Sequence, residues 1–152
     1  MRRVVTDIDT EGRSYFLQDG EISAKFGMAD LWFTSVNQPL GEDPRNAKLE
    51  LDPPSGGTQW RVVDLPPDEI LMPIFAKGVP GHDSNGFHTT KSIDFVILLE
   101  GELTLELDSG AIDLKPGDVV VQRATRHAWR NRSSRTARIA AVMIHVPEDT
   151  AT

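Results

Sequence analysis

The sequence predicts an all-β domain, an antiparallel sandwich or barrel. Three features point there. No stretch sustains apolar residues at a helical period over any length. Short apolar or alternating runs recur instead. Gly, Pro, Asp and Asn separate those runs, as turns between strands require.

In the first half, strands are expected at 3–8, 14–18, 29–35, 58–64 and 70–75. Between the third and fourth lies 38–57, rich in Pro, Gly and acids. It reads either as an excursion over a barrel mouth or as a mobile loop, with room for a single helical turn within 43–51. The second half is more regular. The run 93–99 is apolar except for Asp94, and Glu100-Gly101 turns the chain. Leu103, Leu105 and Leu107 alternate onto one face of 102–107. Asp108-Ser109-Gly110 is a tight hairpin signal, with 111–114 as the return strand. Lys115-Pro116-Gly117-Asp118 is a turn, because Pro presets one dihedral and Gly permits the next. Strands 119–122, 127–131 and 138–146 complete the sheet, and the last few residues are expected to fray.

The chain of 152 residues is the size of one domain, with no internal repeat and no linker. It has no cysteine, which removes disulfides, thiolate metal sites and cysteine nucleophiles. Any metal must use nitrogen and oxygen ligands. A net charge of −7 argues against a nucleic-acid or anionic-membrane surface. Met1-Arg2-Arg3 leads into Val4-Val5 and acids rather than a signal peptide, and no apolar run is long enough to span a bilayer. The expected setting is the cytoplasm. Asp83-Ser84-Asn85-Gly86 lacks the lysine and helix of a phosphate loop, and no organic cofactor is expected.

Asp94 is the first candidate for chemistry. An acid in an apolar strand is costly unless partnered. It either bonds backbone or hydroxyl groups near a strand end, or faces a metal, an arginine or a polar network. His88 and Thr90 share a face if their stretch is extended. His127 shares a face with Trp129 and Asn131, while Arg126, Ala128 and Arg130 take the other. Two imidazoles and a carboxylate suit Fe, Mn, Ni, Cu or Zn. His82, in a Gly/Pro-rich loop, can reach a barrel mouth, whereas His145 reads as a surface or packing residue. Arg123, Arg126, Arg130, Arg132, Arg135 and Arg138 form a basic cluster. It reads either as an anion trap or as a solvated face that blunts an edge, with Arg123 the one candidate for the pocket.

Gly86-Phe87-His88-Thr89-Thr90-Lys91-Ser92-Ile93-Asp94, continuing to Glu100-Gly101, resembles the first motif of the cupin superfamily. That motif has a glycine, two histidines one residue apart, a glutamate and, seven residues later, a glycine. Gly117-Asp118, then His127 and Asn131, resembles the second. The resemblance implies a double-stranded β-helix, or jelly-roll barrel, with extra N-terminal strands. It implies one domain over 1–152, with strands and loop to about residue 80 and the motifs from about 81 to 146. It implies His88, Asp94 and His127 as ligands of a divalent metal, Fe, Mn, Ni, Cu or Zn. Thr90 stands where the second histidine belongs and Asp94 where the glutamate belongs. Arg123 and Thr125 replace the usual proline and glycine, and the spacing is one residue short. His82 is then a replacement ligand, and Thr90, Trp129, His82 and Arg123 shape the pocket. The resemblance extends to small cupins associated with secondary metabolism or with catabolism of aromatic and polyketide-like compounds, and to a homodimer.

Three functions remain open at this point. One is a small-molecule enzyme, metal-dependent or with Asp94 and His127 as an acid/base pair, acting on an organic acid, aromatic or polyketide-like compound. The second is a non-catalytic sensor or carrier of a small molecule. The third is a barrel filled by its own side chains.

Overall fold

In a computed structural model the described residues are 1–147, with Asn46 described by its backbone alone. The order is β1 (Arg2–Ile8), β2 (Ser14–Glu21), β3 (Met28–Ser35), β4 (Gln38–Glu42), a 3-10 turn (Pro44–Asn46), β5 (Thr58–Leu65) and α1 (Asp68–Ala76). There follow β6 (Ser92–Glu100), β7 (Leu103–Leu107), β8 (Gly110–Leu114), β9 (Val119–Arg123), β10 (His127–Arg130) and β11 (Ala137–His145). The expected fraying of the last residues lies outside the described residues.

Period-two patterning explains the layers. A six-stranded sheet runs β4-β3-β5-β11-β6-β9, and a three-stranded sheet runs β10-β7-β8. Val96, Leu98, Ile139, Ala141 and Met143 from the first meet Leu103, Leu114 and Trp129 from the second. That contact is the core of a double-stranded β-helix. Gly101 lets the chain turn between β6 and β7, with φ +82° and no room for a Cβ beside Ala137. Among the described residues β1 and β2 form a ladder only with each other, and Arg3 of β1 joins them to β3 by donating to the Leu31 carbonyl at 2.7 Å. A second small cluster, Ala29, Leu31 and Val62, packs on the outer side of the large sheet against Ile22 and Ala140.

Two expectations change. The strand expected at 70–75 is the helix α1. Asp68 and Glu69 stand in its first turn, where acids suit the exposed N–H groups, and Ile70, Leu71, Ile74 and Phe75 recur at helical spacing. A six-residue apolar run satisfies either period, and Pro73 removes only one helical hydrogen bond from so short a helix. The segment 38–57 contains β4 and one 3-10 turn capped by Asp43, whose side chain accepts from Arg45 N–H. Its later residues Lys48, Leu51 and Asp52 line the barrel cavity, so this part lies over the mouth. Among the described residues, no helix is long and apolar enough to cross a membrane.

Candidate functional site: a histidine row on the wall of an apolar cavity

Three backbone segments place the histidines. His88 lies just before β6 and pairs in antiparallel fashion with His127 on one side and His82 on the other. The His88 N–H donates to the His127 carbonyl at 2.9 Å, and the His127 N–H donates back at 2.9 Å. Directly opposed residues put their side chains on the same face. The imidazoles therefore form a row, with centroids 4.2 Å apart from His82 to His88 and 4.2 Å from His88 to His127. Phe75 of α1 stacks on the far side of His82 at 5.2 Å, and Trp129 meets His127 edge-on at 5.9 Å.

Backbone carbonyls hold the Nδ1 side of each ring. His82 Nδ1 lies 3.1 Å from the Pro80 oxygen and His127 Nδ1 2.9 Å from the Thr125 oxygen. His88 Nδ1 makes a longer contact of 3.4 Å with the Gly86 oxygen. The Gln122 side-chain amide also packs against His127 Nδ1. Pinning Nδ1 leaves Nε2 as the ring nitrogen for outside partners. The elbow that carries Thr125 includes Ala124 at φ 49°, a left-handed conformation uncommon for a non-glycine residue. It occupies the stretch where cupins carry proline and glycine.

Asp94 projects inward from β6 and is 5% exposed. Ser92 Oγ donates to Asp94 Oδ1 at 2.5 Å, and Thr90 Oγ1 donates to Oδ2 at 3.2 Å. Thr90, at the position of the missing histidine, thus serves the carboxylate. Burial pushes the Asp94 pKa up, against the hydroxyl bonds and the Arg61 charge, which lower it. Burial likewise pushes His88 down to about 3, helped by His127 and His82. Burial lowers His127 too, against the Thr125 carbonyl, with His82 adding to the fall.

His82, His88, Thr90, Asp94, His127 and Trp129 all line one cavity of about 560 Å³. Val63, Phe75, Val96 and Met143 supply apolar wall. The volume suits a small organic molecule and argues against a barrel filled by its own side chains. Arg61 also lines it, 4% exposed, with Nε on Asp30 at 2.8 Å and Nη2 on the Glu50 carbonyl at 2.8 Å. Strand parity offered the signal for Arg61, since Arg61, Val63 and Leu65 share the inward phase of β5. The equal standing of His82 had no such signal, because a loop carries it.

Arg123 is not a pocket residue. It follows Val119 and Val121 in phase on β9, is exposed, and lies outside the cavity lining. The other arginines of the cluster are mostly neutralised. Arg126 pairs with Asp83 and Asp108, and Arg130 and Arg132 pair with Glu106. Asn131 is fully buried and donates to the Leu65 and Arg135 carbonyls, a structural task. His145 ends β11 away from the cavity lining. A second hollow of about 680 Å³, beside Asp113, Lys115 and Arg132, is lined by no histidine.

The expected triad of His88, Asp94 and His127 does share a wall. Even so, no three His, Asp or Glu side chains among the described residues form a group able to hold a metal ion. The rings tilt against one another at 37° and 52°, and both Asp94 oxygens are engaged by hydroxyls. The donor types suit a divalent metal, but their arrangement does not.

Comparison with known proteins bears on the same region. The Cupin_2 family model, "Cupin domain", matches residues 77–145. A "Phomopsin biosynthesis cluster protein C'" from Diaporthe leptostromiformis is 46% identical over 80 residues, 51% of this chain and 34% of that protein. A "Cupin-domain-containing oxidoreductase virC" from Hypocrea virens is 29% identical over 142 residues, 85% of this chain and 66% of that protein. The chain thus spans a third to two thirds of the length of these relatives. An RmlC-like cupin family protein from Methanocaldococcus jannaschii, with a double-stranded β-helix fold, overlaps 62% of this chain and 76% of its own at 21% identity, with a TM-score of 0.44. The motifs around His88 and His127, the two facing sheets and the family match agree that residues 77–145 carry a cupin domain.

Proposed function

We propose that the chain is a cupin-type enzyme of secondary metabolism that moves a proton on a small, largely apolar carbonyl compound, aromatic or polyketide-like. The observation that carries this reading is the histidine row beside Asp94 on the wall of a 560 Å³ apolar cavity. His88 and His127 are held below the usual imidazole range and so are neutral bases near pH 7. Burial raises the Asp94 carboxyl from its ordinary value, in the direction that favours the acid form. Shifts in opposite directions, imidazole down and carboxyl up, favour a neutral base beside an acid. A neutral imidazole Nε2 takes a proton from the carbon or oxygen next to a carbonyl. The imidazolium so formed, or Asp94 in its acid form, delivers a proton elsewhere on the substrate. Phe75, Val96 and Trp129 exclude water and hold the ring or chain of the substrate. No step passes through a metal. The relatives named for the phomopsin cluster and as cupin-domain oxidoreductases support the metabolic setting.

The test has two stages. Aromatic and polyketide-like carbonyl compounds are screened for a rise in melting temperature, and hits are incubated in deuterated water with wild type, His88→Gln and His127→Gln. The expected result is deuterium uptake or turnover by wild type, reduced at least 100-fold in the variants while binding persists. Binding with no exchange or turnover by wild type would establish a carrier or sensor instead. A stoichiometric metal retained by protein purified without added metal would move the chemistry to that ion.

A further inference from the structure

Two cations line the histidine cavity, and they differ in kind. Lys48 is exposed, whereas Arg61 is buried. Asp30 on β3 is directly opposed to Arg61 on β5, so both side chains lie on the same face of the sheet. The two side chains form an ion pair closed from solvent, 6% and 5% exposed. Arg61 Nε donates to Asp30 Oδ1 at 2.8 Å and Nη2 donates to the Glu50 carbonyl at 2.8 Å. Gln59 Nε2 donates to the same Asp30 oxygen at 3.1 Å and holds it in place. A guanidinium is planar, so two fixed nitrogens fix the direction of the third.

That third nitrogen is Nη1, and among the described residues it has no hydrogen-bond partner. The described side-chain atoms that are both sealed from solvent and without a partner are Gln59 Oε1, Gln122 Oε1 and His145 Nδ1. Arg61 Nη1 is not among them and therefore borders open space, and the space that Arg61 lines is the cavity. A charged donor left unmet in an apolar wall favours a ligand that brings an acceptor.

Charge decides which acceptor. Asp30 already neutralises Arg61, and Lys48 pairs with Glu50 at 3.0 Å. Asp52 and Asp94 line the same cavity. Even with Asp94 in its acid form, Asp30, Glu50 and Asp52 outnumber Arg61 and Lys48. A ligand carboxylate would lose its water shell on entering and meet a surplus of negative charge. A neutral carbonyl oxygen loses little water and gains a charge-assisted hydrogen bond.

We propose that Arg61 Nη1 receives an uncharged carbonyl oxygen of the substrate, as in a ketone, ester or amide, and that the Asp30–Arg61 pair makes the cavity discriminate against carboxylates. The assignment rests on the carbonyl-compound reading above and narrows it, setting aside organic acids held through their carboxylate.

Benzamide and benzoate share size and shape and differ in charge, so they serve as probes. In saturation-transfer NMR titrations, wild type is expected to bind benzamide about tenfold or more tighter than benzoate. Asp30→Asn removes the countercharge and keeps an oxygen acceptor for Arg61. It is expected to shift the preference about tenfold toward benzoate, which an ion pair with a purely structural role would not do. Asp30→Asn/Arg61→Met removes both charges together and leaves neither buried alone. Relative to Asp30→Asn, it is expected to weaken benzamide about tenfold. Near-UV circular dichroism confirms that each variant is packed. Wild type that binds benzoate as tightly as benzamide overturns the proposal, as does wild type that binds no benzamide at about 10 mM. An unchanged preference in folded Asp30→Asn, or unchanged benzamide affinity in the folded double variant, also overturns it. These titrations need no turnover. Benzamide binding as expected, with no carbonyl compound exchanging deuterium, would keep the oxygen site and remove the proton-transfer reading of the cavity.

Discussion

His88 and His127, 39 residues apart, exchange both backbone hydrogen bonds at 2.9 Å and hold their ring centroids 4.2 Å apart. A two-bond exchange fixes each side chain relative to the other. The pair is therefore built by the backbone, with His82 added on the open side by a second bridge. Such a site is arranged before any ligand arrives.

The pair should make stability depend on pH in a defined direction. His88 is pushed down to about 3 by burial and by its imidazole neighbours, against about 6.5 in an unfolded chain. Between those values the unfolded chain binds more protons, so stability rises with pH and is lost as pH falls below about 6.5. His127, also lowered, acts in the same direction. Each group contributes up to about 1.4 kcal/mol per pH unit. Asp94, raised, opposes them, because its stabilising contribution is lost as pH rises through its folded pKa. Urea midpoints at pH 7.5, 6 and 5 should fall with pH, and His88→Gln should flatten the trend. A profile unchanged by His88→Gln would falsify the assignment of His88 as a buried neutral base.

Replacing Asp94 should separate its structural and chemical roles. Ser92 is fully buried, Thr90 is 2% exposed, and both donate hydroxyls to the carboxylate. Asp94→Ala strands these two hydroxyls and should cost about 2–6 kcal/mol, at roughly 1–3 kcal/mol per unsatisfied group. Asp94→Asn keeps one acceptor oxygen and should cost less, while losing turnover as fully as Asp94→Ala. Equal stability for the two variants would show that the hydroxyl bonds contribute little.

Arg126→Ala should be nearly silent for ligand binding. Its guanidinium bonds Asp108 and Asp83 at 2.6 Å each, both exposed, and lies 4.1 Å over the Phe87 ring. Exposed pairs of this kind contribute about 0–1 kcal/mol, and a small loss in melting temperature is expected. A tenfold loss of affinity for any cavity ligand would place Arg126 in the site.

Two glycines with similar dihedrals should respond differently to alanine. Gly101, at φ +82°, would carry its Cβ 2.8 Å from the Cα and Cβ of Ala137, both backbone-anchored. Gly117, at φ +94°, faces open space. Gly117→Ala should cost about 1–2 kcal/mol for the left-handed backbone alone. Gly101→Ala should cost a further 1–3 kcal/mol, roughly, for overpacking. Chemical denaturation of the two variants compares them directly, and equal losses would mean that the β6–β7 turn relaxes freely.

Alternation along single strands was legible in the sequence. It placed Asp94 with Val96 and Leu98 inside and His127 with Trp129 on one face, because side-chain direction in a strand is a local property of period two. The same parity, applied to Arg123 from Val119 and Val121, would have set it outside. The helix α1 is not legible from its apolar pattern, because Ile70 to Phe75 is too short to separate the two periods, and the acids before it carry the decisive cue. The absence of cysteine and the supply of imidazole and carboxylate donors were likewise fixed by composition.

What neighbours what across loops was decided only in three dimensions. His82 stands next to His88 because two loop segments meet in a one-bridge register, and register between distant segments depends on the packing of the whole barrel. The same packing buries Asp94 beneath two hydroxyls and closes a cavity over the imidazole row. Chain alternation states which way a side chain points, and only the closed barrel states what it points at.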